Sequence, residues 1–338
     1  MPTRTSSPVI TLELVPTALL VLALGVAARM LGPVINGINA VVVALILGLL
    51  VVNVGGDRIE LDDQVPTFLL KRALKFAVIL LGAGIDLTSI ADVGLKAVGI
   101  TAVAVIMAMA ISWYLGRALG MENRSAILIG VGTAICGASA IAAVAPVLKA
   151  KKEEVGLALA TVFSFNAIAL LTYPIIGAAL GLSQVEFGSW AGIGVHDTAS
   201  AVATGFAFGA EAGEFATLVK LERTLFLLPL LAIAVAVVQR EDGGETSSGS
   251  TLRNNIPWFI VGFAVLAAAN TLGWLGDVGG FLNDTAKLII VFVVVAVGLT
   301  LRLSKVASIG KPLFYTGFAA SLAVGAFALA AIVGLGVG

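Results

Sequence analysis

Long apolar stretches separated by short polar connectors recur along the whole chain. Most of them have enough residues to cross a hydrocarbon core of about 30 Å as a helix. The pattern predicts an all-α polytopic membrane protein with one integral membrane domain over residues 1–338. The apolar segments fall near 9–30, 38–54, 67–86, 93–119, 125–148, 154–180, 187–209, 215–238, 256–275, 282–300 and 312–336.

Composition supports this prediction and removes several classes of function. The chain is 59% hydrophobic and 12% charged, whereas soluble proteins carry about 25% charged residues. Net charge is zero, which gives no reason to expect a nucleic-acid partner. One Cys and one His cannot form a Cys-built or His-cluster metal site. We find no GxxxxGK[ST] loop and no GxSxG elbow, so we expect neither a cofactor nor an enzyme.

The side of the membrane on which each basic residue lies depends on whether segments 125–148 and 187–209 cross the membrane or turn back halfway. If both are re-entrant hairpins, only Arg29 and Lys96 lie in loops on the side opposite to twelve others. The twelve are Arg4, Arg58, Arg117, Arg124, Lys149, Lys151, Lys152, Arg240, Arg253, Arg302, Lys305 and Lys311. Because Lys and Arg are enriched on the cytoplasmic side, we predict about nine crossings in a bacterial plasma (inner) membrane, with a cytoplasmic N-terminus. Broken full spans are the alternative.

Internal similarity points to inverted repeats. ASAIA at 138–142 matches ASAVA at 199–203, and LLGAGIDL at 80–87 echoes VVAVGLTL at 294–301. With two hairpins that enter from opposite faces, each pair runs antiparallel, as in secondary transporters built from inverted-topology repeats. The longest connector, 239–255, is rich in Gly and Ser and is predicted to be a flexible loop.

The hairpin tips are the predicted binding site. Beyond each tip a half-helix begins near the membrane centre, and Ser139 and Thr198 or Ser200 stand where N-caps are expected. Two such helix ends favour an anion. The predicted substrate-binding residues are Thr133, Cys136, Gly137, Ser139, Asn166, His196, Asp197, Thr198, Ser200, Lys220 and Arg223.

Two cations in the segment after the second hairpin extend this site. Counted from Glu214, Lys220 and Arg223 lie about 9 and about 13.5 Å deep. They share one helical face, and intramembrane cations need partners or a function. Asp197 and Glu222 are the candidate counter-charges, so a structural salt bridge is the alternative to substrate contact.

The single histidine suits a pH-coupled carrier, because imidazole titrates near physiological pH. His196, Asp197 and Glu222 are therefore the predicted coupling residues. A packing role for the His196–Asp197 pair remains the alternative.

Four stretches resemble the YeiH-type family of sulfate exporters and cover the middle third of the chain densely. They are GTAICGASAIAAVAPVLKAKKEEV (132–155), the TYP of LLTYPIIG (170–177), FGSWAGIGVHDTASAVATG (187–205) and ATLVKLERTLFLLP (216–229). Residues 196–199 read His-Asp-Thr-Ala, whereas relatives in the family carry His-Glu-Thr-Ala, so the carboxylate is kept on a shorter side chain. The resemblance implies a fold similar to that of bile-acid symporters and cation/proton antiporters.

The sequence therefore predicts a secondary transporter for a small anion such as sulfate, a related oxyanion or a sulfonate. The substrate, the coupling ion, the direction of transport and a homodimer are left open. The alternatives are a cation/proton antiporter of the same architecture, against which Lys220 and Arg223 argue, and a non-transporting membrane scaffold.

Overall fold

The computed structural model describes residues 10–34, 39–55, 59–230, 258–302 and 310–337. The described part is almost entirely helical; two short strands, β1 (Ile10–Leu12) and β2 (Ile59–Leu61), pair in parallel. The loop predicted at 239–255 lies outside the described residues, as do Arg4, Arg58, Arg240, Arg253 and Lys305.

Fourteen α-helices lie within the described ranges. They are α1 (Leu14–Leu31), α2 (Ala40–Gly55), α3 (Gln64–Phe68), α4 (Leu74–Leu81), α5 (Leu87–Ala118), α6 (Asn123–Ala134), α7 (Ala138–Val144), α8 (Lys152–Ala179), α9 (Gln184–Gly194), α10 (Thr198–Phe208), α11 (Ala210–Leu225), α12 (Trp258–Thr271), α13 (Asp277–Thr300) and α14 (Lys311–Gly334).

Five helices are long and apolar enough to cross a membrane by themselves. They are α1, the 96–118 part of α5, α8, α13 and α14. The apolar helices α2 and α12 are shorter. Helices α3 and α4 join through a π-helical turn (Leu69–Ala73) into one interrupted segment that ends in a 3-10 turn, Gly82–Gly84. The chain is therefore an all-helical polytopic membrane protein, as predicted.

Helices α6 and α7 form a re-entrant hairpin. Arg124, at the start of α6, donates to the carbonyl of Lys149 beyond the end of α7 at 3.2 Å. Further in, a Cβ built on Gly132 would lie 2.8 Å from the side chain of Ile141. The two arms are thus antiparallel, and the start of α6 lies at the same depth as the end of α7.

Helices α9 and α10 form a second re-entrant hairpin. The rings of Phe187 and Phe208, at its open end, stack with centroids 3.9 Å apart. Gln184 accepts from the amides of Glu211 and Ala212, so the hairpin begins at the level where α11 starts. Each arm has 11 residues, which span about 16 Å and reach about halfway through a bilayer.

Helix α8 fixes the two hairpins relative to each other. Gly132 of the first hairpin packs on Val162, and Phe187 of the second packs on Gly177, nearer the other end of α8. Both tips approach the middle of α8, where Asn166 accepts from the amide of His196. The hairpins therefore enter from opposite faces and meet near the centre.

Each hairpin repeats one local plan with opposite orientation. Helix α6 runs parallel to α8, because Gly132 packs on Val162 and Leu128 shares a cluster with Ala158. Helix α9 runs parallel to α11, because Gly188 packs on Phe215 and Gly192 on Val219. The two three-helix units α6–α8 and α9–α11 are the inverted repeat that the ASAIA and ASAVA stretches predicted.

Hydrogen bonds between helix ends sort them into two faces. The basic face carries Arg124, Lys149, Lys151 and Lys152, and the acidic face carries Glu186, Glu211 and Glu214. Pairs on the acidic face are Asn39–Phe206, Asn270–Ile85, Lys287–Glu214 and Lys96–Gly336. Pairs on the basic face are Thr17–Asp62, Asn53–Leu301 and Arg124–Lys149.

Alternation between these faces gives the number of crossings. Within the described ranges nine segments run from one face to the other: α1, α2, α3–α4, α5, α8, α11, α12, α13 and α14. Nine crossings and two opposed hairpins were predicted. Several predicted starts are wrong by five or six residues: the segments placed at 93, 215 and 282 begin at Leu87, Ala210 and Asp277. For α11 the reason is that Gln184 caps amides that the hydropathy pattern cannot identify.

The helices pack in two regions. The panel region comprises α1–α4, α12 and α13; the hairpin region comprises α5–α11 and α14. In the panel, Gly48 and Gly298 let α2 and α13 meet so closely that a Cβ on Gly48 would lie 2.6 Å from the carbonyl oxygen of Val295. Small residues allow such approach in membranes. Helices α8 and α10 contact the panel through Leu170 and Val202, so they form the boundary between the two regions.

The two faces should be distinguishable by labelling. In a background where Cys136 is replaced by Ala, Lys152→Cys and Glu211→Cys should react with a membrane-impermeant maleimide from opposite sides, because the hairpin topology separates these exposed positions. Intact cells should label position 211 and inverted vesicles position 152. Labelling of both from one side would contradict nine crossings.

Candidate functional site

Four helix ends meet inside the membrane because each hairpin is interrupted at its tip. Helix α6 ends at Ala134 and α7 begins at Ala138; α9 ends at Gly194 and α10 begins at Thr198. Every such end leaves backbone amides or carbonyls without helical partners, and no water is present in the bilayer core to bind them. The side chains that satisfy these groups define the site.

Arg223 binds the carboxyl-terminal ends of both inward arms. Its Nε donates to the carbonyl of Ala134 at 2.6 Å, and Nη2 donates to that of Thr133. Its Nη1 reaches across to the second hairpin and donates to Ile193, with a longer bond of 3.4 Å to Val195. The guanidinium is fully buried, so it connects the two tips in a dry environment.

Lys220 makes the same kind of bridge one helical turn away. Its Nζ donates to the carbonyl of Ile135 at 3.0 Å and to that of Val195 at 2.6 Å. It is also fully buried. Spacing of i, i+3 on α11 directs both cations to the tips, and the carboxyl-terminal ends of helices carry partial negative charge. The two cations therefore neutralise the negative ends of α6 and α9.

The partners of these cations correct one interpretation. Asp197 and Glu222 were the candidate counter-charges. The hydrogen-bond acceptors of Lys220 and Arg223 are main-chain carbonyls, and Asp197 acts on Lys220 by charge alone, without a direct bond between the two. The reason is geometric: α11 runs beside both hairpins, so its cations reach the open carbonyls first. Thr133 takes part through its carbonyl, a role that its side chain could not reveal.

The N-caps also differ from the prediction. Asp197 caps α10, accepting from the amide of Ser200 at 3.1 Å and its hydroxyl at 3.4 Å. Gly137 is the N-cap of α7, with φ 60° and no side-chain bond to the helix. Ser139, Thr198 and Ser200 are thus residues within the first helical turns, because each helix begins earlier than assumed. Cys136 is buried in the break before α7.

The two amino-terminal ends lie side by side. A Cβ on Gly137 would be 3.4 Å from the Cα of Asp197, so the N-caps of α7 and α10 touch. Around them the surface opens: Ser139 is exposed, and Asp197 and Thr198 are half-buried. The site therefore has a closed side at the carbonyls and cations and an accessible side at these positive helix ends.

Asn166 and His196 complete the centre. Asn166 Oδ1 accepts from the amides of His196 at 2.9 Å and Asp197 at 3.3 Å, and it fastens the second tip to α8. His196 Nε2 hydrogen-bonds Ser321 Oγ at 2.7 Å. Among the described residues, Asn166 Nδ2 and His196 Nδ1 are buried without a partner, and buried polar atoms of this kind call for an explanation.

The sequence predicted most residues of the site but did not predict Ser321. Ser321, on α14, is one serine in an apolar span, and nothing in its neighbourhood indicates a bond to His196. Glu222 lies away from the tips, on the side of α11 that faces Thr101 of α5. Among the described residues no group of three His, Cys, Asp or Glu side chains could hold a metal ion.

Comparison with known proteins places the chain in a family. Residues 16–317 match the family described as "Conserved hypothetical protein 698". A UPF0324 membrane protein of Bdellovibrio bacteriovorus is 37% identical over 293 residues, 86% of this chain and 87% of the relative. The chain belongs to the UPF0324 family of membrane proteins. This is the YeiH-type family that the four stretches indicated.

Other UPF0324 relatives extend the match along the chain. One from Streptococcus pyogenes is 35% identical over 335 residues, 96% of this chain and 98% of the relative. One from Bacteroides thetaiotaomicron is 37% identical over 276 residues, 80% of each chain. Their names describe membrane proteins and state no substrate.

The cation–carbonyl bonds predict an order of stabilities. Arg223→Met leaves the carbonyls of Thr133, Ala134 and Ile193 without their donor, and each buried unsatisfied group costs about 1–3 kcal/mol. Lys220→Met leaves Ile135 alone, since Arg223 still reaches Val195. Thermal unfolding in detergent should therefore show a large loss for Arg223→Met and a smaller one for Lys220→Met.

Arg124→Met is the matched control, because Arg124 bonds one carbonyl at an exposed position. Its unfolding temperature should stay near that of the parent. Equal stability of Arg223→Met and the parent protein would show that the bonds at the tips do not hold the hairpins together.

Proposed function

We propose that this UPF0324 protein is a secondary transporter that moves a small anion, rather than an enzyme or a passive scaffold. The observation that carries the proposal is the meeting of two opposed re-entrant hairpins around two buried cations. Interrupted helices whose ends converge near the midplane form the binding sites of many inverted-repeat carriers. Hairpins that enter from opposite faces also bring residues from both sides of the membrane to one site.

The charge balance at the tips favours an anion. The four half-helix ends contribute two negative and two positive partial charges, which cancel to first order. Lys220 and Arg223 add two positive charges, and Asp197 adds one negative charge. With neutral His196 the centre therefore carries a surplus of one positive charge, and a net charge is costly in a low-dielectric region. A bound monovalent anion such as a sulfonate removes the surplus, and divalent sulfate reverses its sign, whereas a bound monovalent cation would double it.

The position of the surplus suggests how an anion is held. The accessible side lies at Ser139 and Thr198, beside the touching N-caps Gly137 and Asp197. Asn166 Nδ2 is a buried donor without a partner among the described residues, so it is available to an anion oxygen that enters between the tips. Sulfate, related oxyanions and sulfonates present oxygens of this kind. We propose that the basic face lies in the cytoplasm of a bacterium, in accordance with the positive-inside rule.

Asn166→Asp tests the anion site with little change in fold. Aspartate keeps the acceptor for the amides of His196 and Asp197 but replaces the free donor with an oxygen, and its ionised form would cancel the positive surplus. Hydrogen bonds to charged groups contribute about 1.5–3 kcal/mol, so anion affinity should fall by roughly 10-fold to 100-fold. Calorimetry on the purified protein, with sulfate, nitrate, chloride and an alkyl sulfonate, measures this directly.

The control is Asn123→Asp at the start of α6, near the basic face and far from the tips. It should bind as the parent does. Failure of every anion to bind the parent protein would refute the proposal, and unchanged affinity in Asn166→Asp would remove this amide from the site.

A further inference from the structure

A second buried polar contact lies about 18 Å along α11 from its start, away from the hairpin tips. Glu222 is half-buried, and its Oε1 has no hydrogen-bond partner among the described residues. Thr101, on α5, faces it and has a buried hydroxyl that likewise lacks a hydrogen-bond partner in the described part of the chain. Thr101 lies five residues, about 8 Å, into the apolar part of α5 that begins at Lys96, so both residues sit inside membrane-spanning segments.

Among the side chains that the structure describes, no cation compensates this carboxyl group. Helix α10 contains no charged residue, the one charged residue of α9 is Glu186 at the hairpin mouth, and the one charged residue of α14 is Lys311 at its first position. On α5 the described charged side chains, Lys96 and Arg117, lie towards opposite ends. On α11 itself Lys220 and Arg223 are directed to the hairpin carbonyls. Thr101 is thus the polar group that faces Glu222.

These surroundings suit a carboxyl group that gains and loses a proton. An ionised carboxylate buried without a cation is very costly, and proteins avoid that cost by neutralising the group. Ionisable residues inside membrane segments commonly form proton relays. Because Glu222 and Arg223 are consecutive, a change at the α5 contact acts on the helix that also binds both hairpin tips.

We propose that Glu222, with Thr101, is a proton-binding site through which anion movement is coupled to protons. The coupling part of the proposal rests on the proposed function, whereas the proton site does not. Glu222 takes up one proton as a neutral acid when enclosed against α5 and releases it as a carboxylate when exposed. His196 is a poorer candidate, because a proton there would add a third positive charge beside Lys220 and Arg223.

Infrared difference spectroscopy of the full-length protein in lipid vesicles tests the proton site without any substrate. At neutral pH the parent should show the C=O stretch of a protonated carboxylic acid. Glu222→Gln should lose that band, and Glu153→Gln, at an exposed carboxyl in the first turn of α8, should keep it. Thr101→Val should move the midpoint of its pH titration, whereas Ser112→Ala, at another buried hydroxyl on α5, should not. A band that persists in Glu222→Gln, or no band in the parent, overturns the proposal.

Uptake of radiolabelled sulfate into the same vesicles tests the coupling. A pH gradient should stimulate uptake by the parent and by Glu153→Gln, while uptake by Glu222→Gln should fall to the level seen without a gradient. Stimulation equal to that of the parent would overturn the coupling role. If no variant and no parent vesicle moves sulfate, the proposed sulfate transport fails, and the infrared bands still decide whether Glu222 binds the proton.

Discussion

The structure depends on two buried cations bound to the open carbonyls of two helix ends. A helix that stops inside a bilayer leaves carbonyls that neither water nor lipid can satisfy. Lys220 and Arg223 donate to the carbonyls of both hairpins at once, so the cost of burying the cations and the cost of ending the helices offset each other. Removal of a cation leaves carbonyls without a donor, and removal of the helix ends leaves the buried cations without acceptors.

The bonds of the two cations also determine which helix ends at the hairpin tips are free to contact a ligand. Both negative helix ends are occupied by protein cations, and one positive end is occupied by the Asp197 carboxylate. The accessible side is therefore the one beside Gly137, Ser139 and Thr198, with the Asn166 amide close by. This charge distribution is the basis of the proposed anion site, and the residues of that site come from both hairpins.

Helix α11 contacts the hairpin tips, helix α5 and the panel region. One of its faces carries the cations that bind the tips, and another places Glu222 against Thr101 of α5. Its first turn is capped by Gln184 from the second hairpin, and Glu214 pairs with Lys287 of the panel region at 3.1 Å. One rigid helix thus contacts both hairpin tips, the α5 surface and the panel, which makes it the element best placed to relate events at these four places.

The sequence alone determined the membrane class and predicted nine crossings and two hairpins, because hydropathy, the basic residues and the small-residue tips are local or additive signals. Broken full spans remained the alternative, and the packing of the hairpin arms decided between the two. It also selected Asn166, His196, Lys220 and Arg223, since polar side chains are conspicuous in apolar segments. It could not assign their partners. Whether Arg223 meets a carboxylate, an anion or a carbonyl depends on which helix lies beside α11, and the bonds to Thr133 and Ile193 join residues far apart in the chain. Main-chain carbonyls have no sequence signature, so only the tertiary structure decided that they bind the cations.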